Sequence, residues 1–141
     1  MSDAELGTIA SRRAYEPQTR SLAQQMAREN AALHSELVVI AQQHGITAPT
    51  QVEERRRALK ENLLTLPGQV FDRGFTLAVA QDSAFMLRGF DRTSSDPAIK
   101  QLAARYRPLI AQQRKTSTEI LDRIGGSPFG YAPEAGAPPP F

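Results

Sequence analysis

The spacing of apolar residues constrains this chain more than any other feature of its sequence. Apolar residues recur every three or four positions almost throughout the 141 residues, and no stretch of strand length alternates strictly between apolar and polar. A three- to four-residue repeat follows one face of an α-helix, whereas strict alternation follows one face of a strand. The pattern therefore predicts an all-α fold, and the length suits one domain with its own core.

Loop residues divide this pattern into five predicted helices. Proline opens the second and the fifth, because the start of a helix leaves its N–H unpaired in any case, and Thr50 supplies a polar cap for the third. The predicted bounds are Asp3 to Ala14, Pro17 to His44 before Gly45, Thr50 to Leu66, Gln69 to Phe90, and Pro97 to Ile124. Residues 1–126 are thus predicted to form the bundle. The segment 127–141 is rich in Pro, Gly and Ala, which predicts a flexible, disordered C-terminal tail.

Composition excludes several classes of site. Without Cys, a metal could be held only by His and oxygen ligands. The net charge is only +2, and the basic run Arg55 to Arg57 follows Glu53 and Glu54, which indicates a solvated helix face and no nucleic-acid site. The longest apolar runs, such as Leu37 to Ala41, are far shorter than the roughly 20 residues that span a bilayer. The sequence shows neither a grouping of Ser, His and an acidic residue nor a phosphate-binding glycine loop. Hydrolase chemistry therefore has no support in the sequence.

Polar residues interrupt the apolar stripe near the middle of three helices. The inward polar residues are Glu29 and Asn30 on the second helix, Asp82 and Ser83 on the fourth and Gln113 on the fifth, and Glu5 of the first helix could join them. Antiparallel helices with short loops bring their middles to one level, so a single buried hydrogen-bonded layer is predicted. The apolar residues predicted to face the core beside it include Leu22, Met26, Leu33, Leu37, Ile40, Phe71, Phe75, Val79, Phe85 and Met86.

Such a layer has two interpretations. Ferritin-like bundles place inward Glu and His residues around iron or manganese, whereas a polar layer can instead fix the register of packed helices. The second interpretation is favoured, because Asn, Ser and Gln are poor ligands and the carboxylates come without a Glu-x-x-His pair. We expect His34 at a helix interface or the surface. His44 falls in a last helical turn, where a partly positive imidazole suits the helix dipole.

Several short segments together resemble a known family. They are Glu5-Leu6-Gly7, Leu22 to Asn30, Gly45, Phe71-Asp72-Arg73-Gly74-Phe75 and Pro108-Leu109. In this order and spacing they look like the bacterial domain of unknown function 4142, often labelled an outer membrane protein, and the resemblance covers Ser2 to Ile124. It implies a ferritin-like four-helix bundle with one additional short helix. Members of the family usually carry a secretion signal, so the resemblance also implies a periplasmic or envelope location. Because no signal sequence is visible after Met1, it implies in addition that the signal has been removed. A cytoplasmic location is the alternative.

The chain departs from the family's pattern at its inward imidazoles. Where the family has Asp-His on the second helix, this chain has Glu29-Asn30. Where it has His on the fourth and fifth helices, this chain has Ser83 and Gln113, and Phe75 replaces a Tyr. The resemblance therefore implies a degenerate metal site that has lost its imidazole ligands.

These observations predict a non-catalytic bundle of the cell envelope with a structural or interaction role and no cofactor. Its partner would be another protein or a second copy of the chain. The alternative is a metal-binding or redox bundle that holds iron or manganese through Glu5, Glu29, Asp72 and Asp82. A third hypothesis is that the tail from Ser127 docks on a partner in an extended polyproline conformation.

Overall fold

The computed structural model describes residues 3–45, 50–92 and 96–125. Over these residues the chain forms five helices and no strand, which confirms the all-α prediction. The helices are α1 (Asp3–Arg13), α2 (Pro17–Gln43), α3 (Thr50–Leu64), α4 (Gly68–Asp91) and α5 (Pro97–Ile124). The predicted tail from Ser127 and the predicted capping side chain of Thr50 lie outside the described residues.

The starts of α2 and α5 follow the sequence signals. Both helices begin at the predicted proline. Asp96 precedes α5, and its Oδ1 accepts a hydrogen bond from the Ala98 N–H at 2.8 Å, which satisfies a donor that the helix start leaves unpaired. At the other end α5 stops at Gly125, where φ is +74°, a conformation that residues with a side chain rarely adopt.

Two helical pairs make up most of the fold. α1 packs on α2, α4 packs on α5, and the pairs meet where α2 lies against α5. These two helices are antiparallel, because Glu16 lies 3.2 Å from Arg123 at one end and His44 lies 2.6 Å from Asp96 at the other. We call the end with Glu16 and Arg123 the proximal end, and the end with His44 and Asp96 the distal end. α3 makes a smaller contact with α4.

The apolar core is divided into two clusters. The proximal cluster joins all five helices and includes the stacked rings of Phe71 and Phe75, whose centroids are 6.1 Å apart. The distal cluster joins α2, α4 and α5. Its fully buried members are Leu33, Leu102, Tyr106 and Ile110, and Ile40, Met86, Leu87, Phe90 and Leu109 pack against them.

Two residues predicted for the core lie instead at the surface. Leu37 of α2 is 42% exposed and Phe85 of α4 is 61% exposed, so both predictions were wrong. α1 begins near Ala27 and Ala31 and leaves the last turns of α2 uncovered on that side. On α4 the inward line runs through Ser83 to Met86, and Phe85 points away from it. Among the described helices, none has the length and apolar content that crossing a bilayer requires.

Candidate functional site

Buried polar residues occupy the boundary between the two apolar clusters. On α2, Asn30 lies between Met26 of the proximal cluster and Leu33 of the distal one. Gln113 holds the corresponding position on α5, and Ser83 holds it on α4. Their exposed fractions are 5% for Asn30, 1% for Gln113 and 2% for Ser83. Because burial without a hydrogen bond would cost a few kcal/mol for each such group, their partners decide what the layer can do.

Gln113 connects α5 to α2. Its Nε2 donates to Glu29 Oε2 at 2.8 Å and to Asn30 Oδ1 at 3.1 Å. A side-chain amide has two N–H groups, so this nitrogen uses both of them. The sequence placed these three residues in one inward layer, and the structure joins them by direct hydrogen bonds.

The carboxylate of Glu29 is held on both sides. Its Oε1 accepts from Gln25 Nε2 at 2.9 Å, one turn earlier on α2, while its Oε2 accepts from Gln113. Glu29 is only half-buried, so its charge keeps some contact with water. Amide donors thus face both oxygens that a metal would need from this residue.

The remaining residues of the predicted layer have different environments. Ser83 is buried on α4, between Val79 of the proximal cluster and Met86, which packs against the distal cluster. Asp82, its neighbour, is half-buried. Glu5 lies outside the buried core, because the inward line of α1 runs through Leu6, Ala10 and Ala14. Its exposed side chain lines a cleft with Ala27 and Ala31 of α2 and with Arg57 and Glu61 of α3.

A second contact between α2 and α5 lies two turns further toward the distal end. Tyr106 donates its hydroxyl to Glu36 Oε1 at 2.6 Å, and Arg105 forms an ion pair with the same carboxylate. The Tyr106 hydroxyl, and after it Arg105, hold the pKa of Glu36 below its ordinary value, and Glu36 raises the pKa of Tyr106. This contact was not predicted from the sequence. Its signal is the seven-residue step from Glu29 to Glu36, which returns to the same helix face after two turns.

The two histidines have separate positions. His34 is exposed on α2. His44 caps the C-terminus of α2, where its Nδ1 lies 2.9 Å from the carbonyl oxygen of Ile40 and its Nε2 lies 2.6 Å from Asp96 Oδ2. These two neighbours, the carbonyl first and the carboxylate second, raise the pKa of His44.

Asp72 forms a buried polar site at the proximal end. Its side chain is fully buried, and its two oxygens accept the backbone N–H groups of Tyr15 at 2.9 Å and Glu16 at 2.6 Å. On the same turn, Arg20 Nη1 donates to the carbonyl oxygens of Ala14 and Tyr15. Both oxygens of Asp72 therefore hold the turn between α1 and α2. In the sequence, the feature that indicates a buried role for Asp72 is its position directly after Phe71, which was predicted to face the core.

The described side chains do not assemble an acidic or imidazole cluster. Within the described ranges, no three His, Asp or Glu residues lie close enough together to hold a metal ion. What the site offers chemically is a set of amide and hydroxyl donors facing Glu29 and Glu36, aligned along the junction of two antiparallel helices.

The fold and the site define an all-helical protein with a polar layer between two apolar clusters. Residues 1–120 of the chain match the domain of unknown function DUF4142, and the chain belongs to this family. None of the curated proteins and none of the solved structures compared with the chain matches it.

Proposed function

We propose that this protein is a non-catalytic, ferritin-like helical bundle of the bacterial cell envelope with a structural or interaction role. The observation that carries the proposal is the side chain of Gln113, whose nitrogen donates to both Glu29 and Asn30. An amide nitrogen with two bound hydrogens is a donor and offers no lone pair to a metal. At the centre of the layer, hydrogen bonds thus use the oxygens that would otherwise be ligands.

The contacts between α2 and α5 support a register-fixing role. Glu36 follows Glu29 by seven positions, and Gln113 follows Tyr106 by seven positions on the antiparallel partner. At both levels α2 supplies the acceptor and α5 the donor. A shift of one helix along the other by a turn would separate both pairs, and the buried polar groups would lose their partners. The layer therefore favours one alignment of the two helical pairs.

The envelope location and the ferritin-like arrangement rest on the resemblance to the family. A bundle with one enforced alignment suits a scaffold, because its surface stays constant while partners bind and dissociate. Exposed apolar residues at the distal half of α2, Leu37 to Val39, are candidates for such a contact.

Metal content is the test of the non-catalytic assignment. The full chain, purified without chelators, should carry no stoichiometric metal, and iron, manganese or zinc should leave its melting temperature unchanged. A ligand at 100 times its Kd would stabilise the fold by about 2.7 kcal/mol, which a melting experiment detects readily. A stoichiometric metal, or an upward shift that disappears in Asp82→Asn, would overturn the proposal in favour of a carboxylate metal site.

A Gln113→His variant is the positive control for metal binding in this melting assay. It adds an imidazole at the position of the amide and places it against Glu29 and Asn30. If ions raise the melting temperature of this variant while that of the wild type stays constant, the assay detects metal and the wild-type layer lacks affinity. Equal shifts in both proteins would contradict the proposed role of Gln113. Fractionation of cells that express the complete open reading frame tests the location separately.

A further inference from the structure

At the distal end, His44 bridges the C-terminus of α2 and the start of α5. Its Nδ1 faces the carbonyl oxygen of Ile40 at 2.9 Å, and its Nε2 faces Asp96 Oδ2 at 2.6 Å. Neither a carbonyl oxygen nor a carboxylate can donate, so each contact is a hydrogen bond only when the ring nitrogen carries a proton. A neutral imidazole carries one N–H and an imidazolium carries two. Only the protonated ring makes both hydrogen bonds.

We propose that His44 and Asp96 form a pH-responsive latch, which holds the last turn of α2 against α5 when the imidazole is protonated and weakens when proton loss removes the ion pair and one of the two hydrogen bonds. We call this pair the distal latch. It is independent of the proposed function, because it concerns neither metal binding nor cellular location.

The two sides of the distal latch differ in how firmly they are held. Asp96 is fixed by its second oxygen, which accepts the Ala98 N–H at 2.8 Å whatever the state of His44. On the α2 side, the closing hydrogen bonds are longer, at 3.1 Å from His44 N–H to Ile40 and 3.3 Å from Gly45 N–H to Gln42. Loss of the bridge therefore loosens the end of α2, while α5 keeps its cap.

The charged groups at this end leave Asp96 as the partner that His44 faces. Asp91 of α4 is paired with Arg107 of α5. Glu36, two turns earlier on α2, is paired with Arg105 and Tyr106. Among the residues that the structure describes, Asp96 is the carboxylate that pairs with His44. The imidazole thus senses pH through one carboxylate and one helix carbonyl.

Release of the latch changes the apolar surface of the protein. Ile40, one turn before His44, packs against the distal cluster and is half-buried. Val39 beside it is already 52% exposed and Leu37 is 42% exposed. When the last turn of α2 loosens, Ile40 joins these residues, and the exposed apolar patch grows as the pH rises.

The pKa values of His44 and Asp96 determine the pH range in which the latch is closed. The pKa of His44 is raised, so the stabilisation is complete below the ordinary imidazole value and is lost as the pH rises through the raised one. The pKa of Asp96 is lowered, first by the Ala98 N–H, so its contribution is lost only in acid, as the pH falls through that lowered value. The latch is closed between these two pKa values.

Fast amide exchange of the full chain, followed by NMR between about pH 5 and 8, measures the opening. After correction for the intrinsic rate, the opening equilibrium at the Gly45 amide should rise roughly two- to fivefold over this range, as expected for an exposed ion pair. His44→Gln should remove the pH step. His34→Gln, which changes the exposed histidine on the same helix, should retain it.

Titration of the His44 ring provides the second readout. Its midpoint should lie above the ordinary imidazole pKa and should fall in Asp96→Asn, which keeps an oxygen for the Ala98 cap but removes the charge. An unchanged pH step in His44→Gln, or an unchanged midpoint in Asp96→Asn, would overturn the proposal. A metal bound by the wild type would refute the proposed function and leave this pH step in place.

Discussion

Gly7 of α1 lies directly against the backbone of α2 at Ala27. A Cβ atom on Gly7 would stand 2.8 Å from the Ala27 nitrogen and 2.8 Å from the carbonyl oxygen of Ala23. These distances are shorter than a carbon atom tolerates, and neither neighbour is a flexible side chain. The two helices therefore pack this closely because position 7 has no side chain. The close contact brings Leu6 and Ala10 of α1 into the proximal cluster.

Gly7→Ala should consequently force α1 away from α2. We expect a loss of about 1–3 kcal/mol in the free energy of unfolding, as for other overpacked cores, measured by urea denaturation. Gly89→Ala is the matched control, because its Cβ would meet nothing within 4 Å on α4. That variant should gain up to about 1 kcal/mol from helix propensity. Equal effects of the two substitutions would show that the α1–α2 contact does not depend on Gly7.

The helices were predictable from sequence because local signals define them. Pro17, Pro97 and Gly125 mark helix boundaries through their own backbone chemistry, and the structure places boundaries at these residues. The exposure of Leu37 and Phe85 was not predictable in this way. It depends on where α1 begins along α2 and on how α4 is rotated against its neighbours, and both are set by packing between distant segments.

Gln113→Leu should destabilise the protein by about 2–3 kcal/mol. The substitution keeps the volume nearly constant but removes the donor to Glu29 Oε2 and Asn30 Oδ1, and Asn30 is buried. Gln112→Leu is the control, since Gln112 is exposed on the adjacent position, and its change should stay within about 0.5 kcal/mol. Urea unfolding of both variants measures the difference. A Gln113→Leu variant as stable as Gln112→Leu would contradict the role of the layer.

The polar layer was only partly accessible to sequence reasoning. The interruption of the apolar stripe identified Asn30, Ser83 and Gln113 as inward positions, since helical periodicity depends on neighbouring residues alone. Glu5 was predicted for the same layer, but the buried face of α1 passes through the adjacent residue, Leu6, and Glu5 is exposed. The partners of Glu36 lie about 70 residues away along the chain, and no local pattern specifies such a pairing.

Asp72→Ala should be among the most destabilising substitutions at the proximal end. It removes both acceptors of the Tyr15 and Glu16 N–H groups at a fully buried position. Hydrogen bonds to a charged group contribute about 1.5–3 kcal/mol each, so we expect a loss of about 3 kcal/mol or more. Asp72→Asn retains one acceptor oxygen and should lose less. If thermal melts rank the alanine variant equal to or above the asparagine variant, Asp72 does not hold the turn through its oxygens.

Tyr106→Phe should destabilise the protein in a pH-dependent way. The Tyr106 hydroxyl is the largest cause of the lowered pKa of Glu36, so its removal moves that pKa back up, although Arg105 still keeps it below the ordinary value. A carboxyl with a lowered pKa contributes stability above its unfolded pKa and loses it as the pH falls through the folded one. The gap in unfolding free energy between wild type and variant should therefore be largest near neutral pH and shrink in acid.

The contribution of the Tyr106–Glu36 hydrogen bond to stability is also lost at alkaline pH. Glu36, and after it burial, raise the pKa of Tyr106, so the wild type loses this contribution as the pH rises through the raised value. Denaturation curves of both proteins from about pH 3 to about pH 11.5, past the ordinary tyrosine pKa of about 10, measure the gap, with Tyr15→Phe as control because Tyr15 is 63% exposed. The Tyr15→Phe control should stay within about 0.5 kcal/mol of the wild type near neutral pH. A constant gap for Tyr106→Phe would mean that the tyrosine stabilises the distal cluster by packing alone and that its hydroxyl does not act on Glu36.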